Sequence, residues 1–431
     1  MRKMKDSGIE WIGEIPEDWK IIPLKFLASH NDDVLSENTP DDLEFDYIDI
    51  SSVQYGSGII NKQHITFGNA PSRARRIVRN NDVIISTVRT YLKAVAIIPD
   101  ISKLTIASTG FACLRTNEKI SPKFLYYSVL SDAFVSTVEA YSVGISYPAI
   151  NASQLVCLKL PLPSIEEQSQ IANFLDEKCA VIDRLVERHQ EVIEKLKAYR
   201  QSVISEAVTR GLDLDAPMKD SGIPWIGKIP KEWEIIPLKF LASHNDDVLS
   251  ENTPDDLEFD YIDISSVQYG SGVINKQHIT FGNAPSRARR IVRNNDVIIS
   301  TVRTYLKAVA IIPAVSELTV ASTGFACLRT NEKISPKFLY YSVLSDAFVS
   351  TVEAYSVGIS YPAINASQLV CLKLILPSIE EQSQIADYLD KKCAKIDRII
   401  HNKEQIISKL AEYKKSIIYE YVTGKKEVPA S

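Results

Sequence analysis

Six basic side chains fall within one stretch of 31 residues, GNAPSRARRIVRNNDVIISTVRTYLKAVAII (68–98). They are Arg73, Arg75, Arg76, Arg79, Arg89 and Lys93, set against the single acid Asp82. A guanidinium fork can grip a phosphate or the edge of a guanine through two parallel hydrogen bonds. Ser, Thr, Asn and Tyr interleave the arginines and could donate to phosphate oxygens. The pattern recurs 214 residues later as Arg287, Arg289, Arg290, Arg293, Arg303 and Lys307. Two readings are open: a polyanion-binding surface, or a solvated basic strand and loop. On the first, the candidate contact residues are Gln54, Tyr55, Arg73, Arg75, Arg76, Arg89, Tyr91, Lys93 and Tyr147. Their copies are Gln268, Tyr269, Arg287, Arg289, Arg290, Arg303, Tyr305, Lys307 and Tyr361. Tyr147 stands in GISYPAINASQL (144–155), and ASTGFACLR (107–115) sets Gly110 beside an apolar Phe111; both stretches also read as ordinary loop and core. The neighbouring stretch NDDVLSENTPDDLEFDYIDI (31–50) carries eight acids and no base. It is expected to be a solvated surface or a face turned away from polyanions.

Other chemistry is missing. The chain has no Gly-rich nucleotide loop, no Walker pattern, no HExxH and no GxSxG. No Asn-Pro-Pro or Asp-Pro-Pro tetrapeptide of the amino-methyltransferase kind occurs, and no acid pair followed by Glu-x-Lys suggests a nuclease. Six histidines and six cysteines show no metal-ligand spacing, and the cysteines read as buried free thiols in a reducing compartment. No catalytic, cofactor-binding or metal-binding residue is expected on this chain. The formal net charge is −5, so affinity for a polyanion would have to come from charge distribution.

The elements that would position the basic segment come in two copies. MKDSGIEWIGEIPEDW (4–19) returns as MKDSGIPWIGKIPKEW (218–233). Between residues 21–160 and their copy only five positions differ: Ile59/Val273, Asp100/Ala314, Ile101/Val315, Lys103/Glu317 and Ile106/Val320. Between 164–209 and 378–423 about twenty of 46 differ. The first piece alternates β-branched and aromatic runs (FDYIDISSV, DVIISTV, AVAII, LVCLKL) with Gly, Asn and Pro turns, and 123–142 has helical spacing. This is an α+β globular domain. The second piece is a long helix, with Ser164 as N-cap and Glu166 and Glu167 in the first turn. Apolar residues at 171, 175, 182, 185, 192, 196, 199 and 203 form a heptad seam, repeated by Ile385, Leu389, Ile396, Ile399, Ile406, Leu410, Tyr413 and Ile417. His189 and Lys403 share one mid-helix seam position, either fixing register or solvated at the seam edge. A helix of 46 residues is about 69 Å long and needs a packing partner, for which the other copy is the obvious choice. The expected fold has two near-identical globular domains joined by two long antiparallel coiled-coil helices, pseudo-two-fold symmetric. Its boundaries are 1–163, helix 164–210, linker 211–217, 218–377, helix 378–424 and tail 425–431.

These segments resemble the specificity (S) subunits of type I restriction-modification systems. WIGEIPEDW, YIDISSV, APSRARRIV, DVIISTVRTYL, ASTGF, SYPAI and LPLPSIEEQSQIANFLDEKCAVIDRLVE follow in order, and the second half repeats them. The resemblance implies that each globular piece is a target recognition domain binding double-stranded DNA. The helices are then the conserved spacer that docks two methyltransferase (M) subunits, and two restriction (R) subunits complete the complex. It also implies that the chemistry lies elsewhere: S-adenosylmethionine and adenine N6 methylation on M, ATP and Mg on R.

Family members usually carry two unlike recognition domains, whereas here the two nearly match. Matched readers on antiparallel helices predict an inverted-repeat target, by the logic of dimeric repressors on palindromic sites. The site should be shorter than the roughly 20 base pairs that a helix of this length spans. The alternatives are a related modification-restriction enzyme of another type, a coiled-coil scaffold whose globular ends bind protein, and a self-sufficient enzyme. The charged start and the lack of a long apolar run suggest a cytoplasmic protein without a membrane span.

Overall fold

The computed structural model describes residues 2–10, 12–223, 226–314 and 317–429. Trp11 and Trp225, the first tryptophans of the two WIG segments, lie outside the described residues. So do Val315, one of the five exchanged positions, and Met1, Pro224, Ser316, Ala430 and Ser431. Contacts divide the chain into two compact units, Met1–His189 with Glu404–Ser431, and Gln190–Lys403. Each unit therefore joins one globular piece to one half of each long helix.

In the first unit, Val95–Ile97, Val83–Ser86, Phe111–Thr116 and Ala28–His30 form an antiparallel sheet in that order. Its central strands are almost wholly apolar because both faces are covered. Val83, Ile85, Ala112 and Leu114 face a core shared with helices, while Ile84, Phe111 and Cys113 face a second core. A second sheet closes that second core. It runs Gln63–Thr66, Glu44–Ile48, Thr105–Ser108, Ala74–Val78, with only the Glu44–Ile48 and Thr105–Ser108 pair parallel. Its outer face carries Phe45, Tyr47, Phe67, Ala74 and Ile106.

The helical layer follows from capping signals. Helix α1 (Pro122–Leu130) starts with proline in its first turn, and the Ser121 hydroxyl accepts from the Phe124 N–H. Helix α2 (Asp132–Ala140) is capped by Ser131, and α3 (Ala152–Leu155) is a single turn after Asn151. Helix α4 (Ile165–Arg210) is capped by Ser164, whose hydroxyl accepts from Glu167 N–H at 3.3 Å. The second unit repeats the sequence with α5 (Pro336–Leu344), α6 (Asp346–Ala354) and α7 (Ala366–Leu369), and α8 (Ile379–Val422) is capped by Ser378.

Each long helix is fixed to its own globular piece by a buried glutamine whose polar atoms all find partners. The Gln168 amide N–H donates to the carbonyls of Lys119 (3.0 Å) and Pro163 (3.1 Å), and its oxygen accepts from Ser121 N–H at 2.8 Å. Gln382 repeats this with Lys333, Pro377 and Ser335. A satisfied buried amide fixes orientation without a desolvation penalty.

The helix segments pair antiparallel within each unit. In the first, the Phe174 ring lies 4.6 Å from that of Tyr421, and Asp183 pairs with Lys414 at 2.7 Å. In the second, Arg200 meets Asp397 at 3.1 Å and Lys392 lies over Tyr199. The buried stripe differs from the expected seam. Ile171, Leu175, Ile182 and Val203 are buried, but Leu185, Val192 and Tyr199 are 39%, 38% and 48% exposed. Cys179, Val186, Ile193 and Arg200 carry the stripe instead, and His189 is half-buried on it. On α8, Ile399, Ile406 and Tyr413 are likewise exposed, while Ile400, Ile407 and Lys414 lie inward. The pairs Leu185–Val186 and Val192–Ile193 leave the register ambiguous by one residue. At 200 and 414 the inward position holds a cation, which an apolar pattern skips.

Those two cations tie the helices to the globular pieces. Lys414 donates to the Gly56 carbonyl at 2.8 Å and to Asp183, and Arg200 donates to the Gly270 carbonyl at 2.7 Å beside Asp397. Burial holds the Asp397 carboxyl above its ordinary value even with Arg200 next to it.

Candidate nucleic-acid interface

The candidate contact residues fall into three places. Gln54 and Tyr55 lie where the hairpin Val53–Gln54/Gly58–Ile59 meets the helices. Gln54 is exposed. Tyr55 is half-buried; its hydroxyl donates to the Leu130 carbonyl (3.2 Å) and Asp132 (3.3 Å), and Lys415 covers its ring. Burial raises the Tyr55 phenol's pKa well above its usual value. Tyr269 repeats the bonds to Leu344 and Asp346, and Gln268 is exposed. Both tyrosines thus tie their hairpin to the junction of the two short helices in the same globular piece, α1–α2 in one and α5–α6 in the other.

A second group sits on or beside the strand Ala74–Val78. Arg73 is exposed, 3.8 Å from Asp49. Arg75 lies over the Phe67 ring at 4.6 Å. Arg76 is half-buried, and its Nε–H lacks an acceptor among the described residues; the same holds for Arg290. Arg287 and Arg289 take the positions of Arg73 and Arg75, with Arg289 over Phe281.

The third group is brought together by two loops. Arg89 (φ +51°) and Lys93 (φ +50°) are both left-handed and bracket a single turn, Thr90–Leu92. Such backbone costs on the order of 1 kcal/mol per non-glycine residue, so the surroundings must enforce it. The loop 143–149 does so. Val143 and Ala149 exchange two backbone bonds of 2.8 and 3.0 Å, Ile150 N–H donates to the Thr87 carbonyl, and Thr90 Oγ1 donates to Ser142 Oγ at 2.9 Å. The result places the Arg89 guanidinium 5.2 Å from the centre of the exposed Tyr147 ring, with Tyr91 exposed alongside. Lys93 turns toward Asp132 and Glu139, at 3.6 and 3.7 Å. Arg303, Tyr305, Lys307 and Tyr361 form the same unit, with Arg303 also 5.2 Å from its ring.

The acidic stretch is not set apart from the bases. Asp33 pairs with Arg79 at 2.7 Å and with Arg115 at 2.9 Å, and Asp49 faces Arg73. Glu37, Asp41, Asp42 and Glu44 are exposed. Folding therefore neutralises Arg79 and leaves Arg89 as the segment's most available fork. Sequence reading missed Arg115, whose role depends on pairing across 82 residues. It also missed Val143 at the base of the loop and Ile145 near its tip, flagged in sequence only by the glycine between them.

The thiols depart from the expectation. Cys157 and Cys371 are exposed, not buried, whereas burial pushes the Cys113 thiol up to about 12 and Cys179 up to about 11. In the second unit Asp260, His278 and Glu317 bring potential ligand atoms within 4.8 Å of one another, where the first copy has Lys103 in place of Glu317. These groups are solvent-accessible, and Lys276 lies 3.8 Å from Asp260, so they read as an exposed ion-pair network.

Residues 16–196 and 230–411 match the family described as the type I restriction modification DNA specificity domain. The chain belongs to this family. Each matched span of this specificity-family chain contains one basic strand, one two-loop unit and the start of one long helix. A putative type I restriction enzyme MjaX specificity subunit of Methanocaldococcus jannaschii is 26% identical over 428 residues, 96% of this chain and 95% of that protein. The type I restriction enzyme EcoBI specificity subunit of Escherichia coli is 24% identical over 319 residues, 71% of this chain and 66% of that one. The fold is also that of a chain in a solved structure described as the structural basis of complex assembly and conformational transition of the type I R-M system. There the TM-score is 0.73 at 21% identity, over 96% of this chain and 99% of the other. Among the described residues no helix is long and apolar enough to cross a membrane.

Proposed function

We propose that this chain is the DNA-reading subunit of a type I restriction-modification complex, and that both recognition domains read the same half-site. The observation that carries this is the duplicated two-loop unit, in which a strained backbone presents Arg89, and again Arg303, over the ring of an exposed tyrosine. An arginine held this way is preorganised for bidentate contact with phosphate or guanine. Near-identical readers, together with antiparallel helix pairing inside each unit, favour an inverted-repeat target with a fixed gap. Two methyltransferase subunits dock on the helices and bring S-adenosylmethionine for adenine N6 methylation. Two restriction subunits bring ATP and Mg. This chain supplies no catalytic group and acts by positioning.

The test is the salt dependence of DNA affinity for the complex of this chain with its methyltransferase subunits. Each phosphate neutralised contributes about −0.9 to the slope of log K against log salt. A slope steeper than about −3, from roughly four contacts, is expected. Salt-independent binding, or none, would contradict the reading and favour a scaffold whose globular ends bind protein.

A further inference from the structure

We infer that Ile145 and Ile359 are wedges that enter the duplex at each half-site and open a base step. The inference deepens the proposed function and rests on it. Ile145 and Ile359 are 102% and 103% exposed, and the flanking Val143 and Val357 are each 80% exposed. Ile145 and Val143, two residues apart, together hold an apolar projection in water, a surface that gains free energy when it is covered.

The loop is stiff and narrow. The two Val143–Ala149 backbone bonds close its base. Gly144 has φ +115°, and a side chain there would meet the Tyr147 carbonyl at 3.2 Å, so the turn admits only glycine without strain. Gly358 repeats this with φ +114°. Bridges join Val88 to Ala149 and Val302 to Ala363, coupling the base of the loop to the loop that bears the arginine. A stable protein interface needs about 800 Å² per partner, far more than one isoleucine and its valine neighbour offer. A single protruding aliphatic on a stiff base is the shape of the side chains that unstack a base step. The neighbouring Arg89–Tyr147 stack supplies the positive charge and flat face that suit a nucleic acid.

The test uses the full complex with its methyltransferase subunits, comparing wild type with Ile145→Ser/Ile359→Ser. Both positions are fully exposed, so an unchanged melting transition controls for folding. Target duplexes carry 2-aminopurine at successive steps of the half-site; a second set has a single mismatch at the step that lights up. Wild type should raise 2-aminopurine fluorescence at one step per half-site. The variant should leave it quenched and bind the intact duplex at least about tenfold more weakly, and a mismatch that makes the step easier to open should restore binding to within about threefold. Unchanged affinity and fluorescence in the variant would overturn the wedge. So would an equal loss on both duplexes accompanied by loss of methyltransferase-subunit binding, which would mark the tip as a protein contact. Failure of the wild-type complex to bind DNA would overturn the proposed function itself, and the wedge with it.

Discussion

Alanine at both Arg89 and Arg303 is expected to remove most target-specific binding. A base-reading arginine is worth about 1–3 kcal/mol, so the pair should cost roughly 2–6 kcal/mol, about 30-fold to more than 10⁴-fold in affinity. The single change Arg89→Ala should relax recognition in one half-site and leave the other intact. Lysine should not rescue, because an ammonium has neither the planar fork nor the stacking face that meets Tyr147. The fold should hold, since Arg89 is exposed and alanine tolerates its φ of +51° no worse than arginine does. The readout is affinity for specific against non-specific duplex. Equal weakening on both would make Arg89 a phosphate contact, and no change would remove it from the interface.

Replacing Arg115 should have the largest effect on stability. Its Nε and Nη2 donate to the two oxygens of Asp82 at 3.0 and 2.8 Å, and Nη1 donates to Asp33 at 2.9 Å. Asp82 is 2% exposed, so Arg115→Ala leaves a buried carboxylate with one remaining donor, the Arg79 backbone N–H. Removing one partner of a buried pair costs about 3–5 kcal/mol; the low end, about 3 kcal/mol, applies because Arg115 itself reaches water. The loss should appear as faster hydrogen exchange in the first globular piece, while the second, held by Arg329 on Asp296 and Asp247, serves as the internal control.

The pH dependence follows from the same arginine. Its hydrogen bond is the main cause that holds Asp33 below the usual carboxylate range, against the opposing effect of desolvation, and Arg329 does the same for Asp247. A depressed carboxylate contributes stability that is present above its unfolded pKa and is lost as pH falls through the folded value. Wild type should therefore lose stability on that acid limb, and Arg115→Ala should flatten the first domain's share. A variant whose exchange rates and acid limb match wild type would show that the cluster carries no stability.

The α+β pieces, the long helices and the Ser164 cap were legible in sequence because they rest on local signals: β-branched runs, N-cap residues and heptad spacing. The seam register was not, because adjacent apolar residues such as Val192 and Ile193 compete and the deciding inward positions include Arg200 and Lys414. Of the candidate contacts, Arg89, Tyr91 and Tyr147 converge because bonds between residues about 50–60 apart in sequence zip their loops together. Composition could not have separated them from Tyr55, whose hydroxyl is bonded at the α1–α2 junction, or from Arg79, which Asp33 neutralises. A basic count says which residues could meet a polyanion; only pairing across the fold says which are left to do so.

The most direct test of the central claim is a map of N6-methyladenine in DNA from cells expressing this chain with its methyltransferase subunit. One motif is expected, a half-site followed by a constant gap and the same half-site inverted. Two unlike half-sites, or a direct repeat, would contradict it.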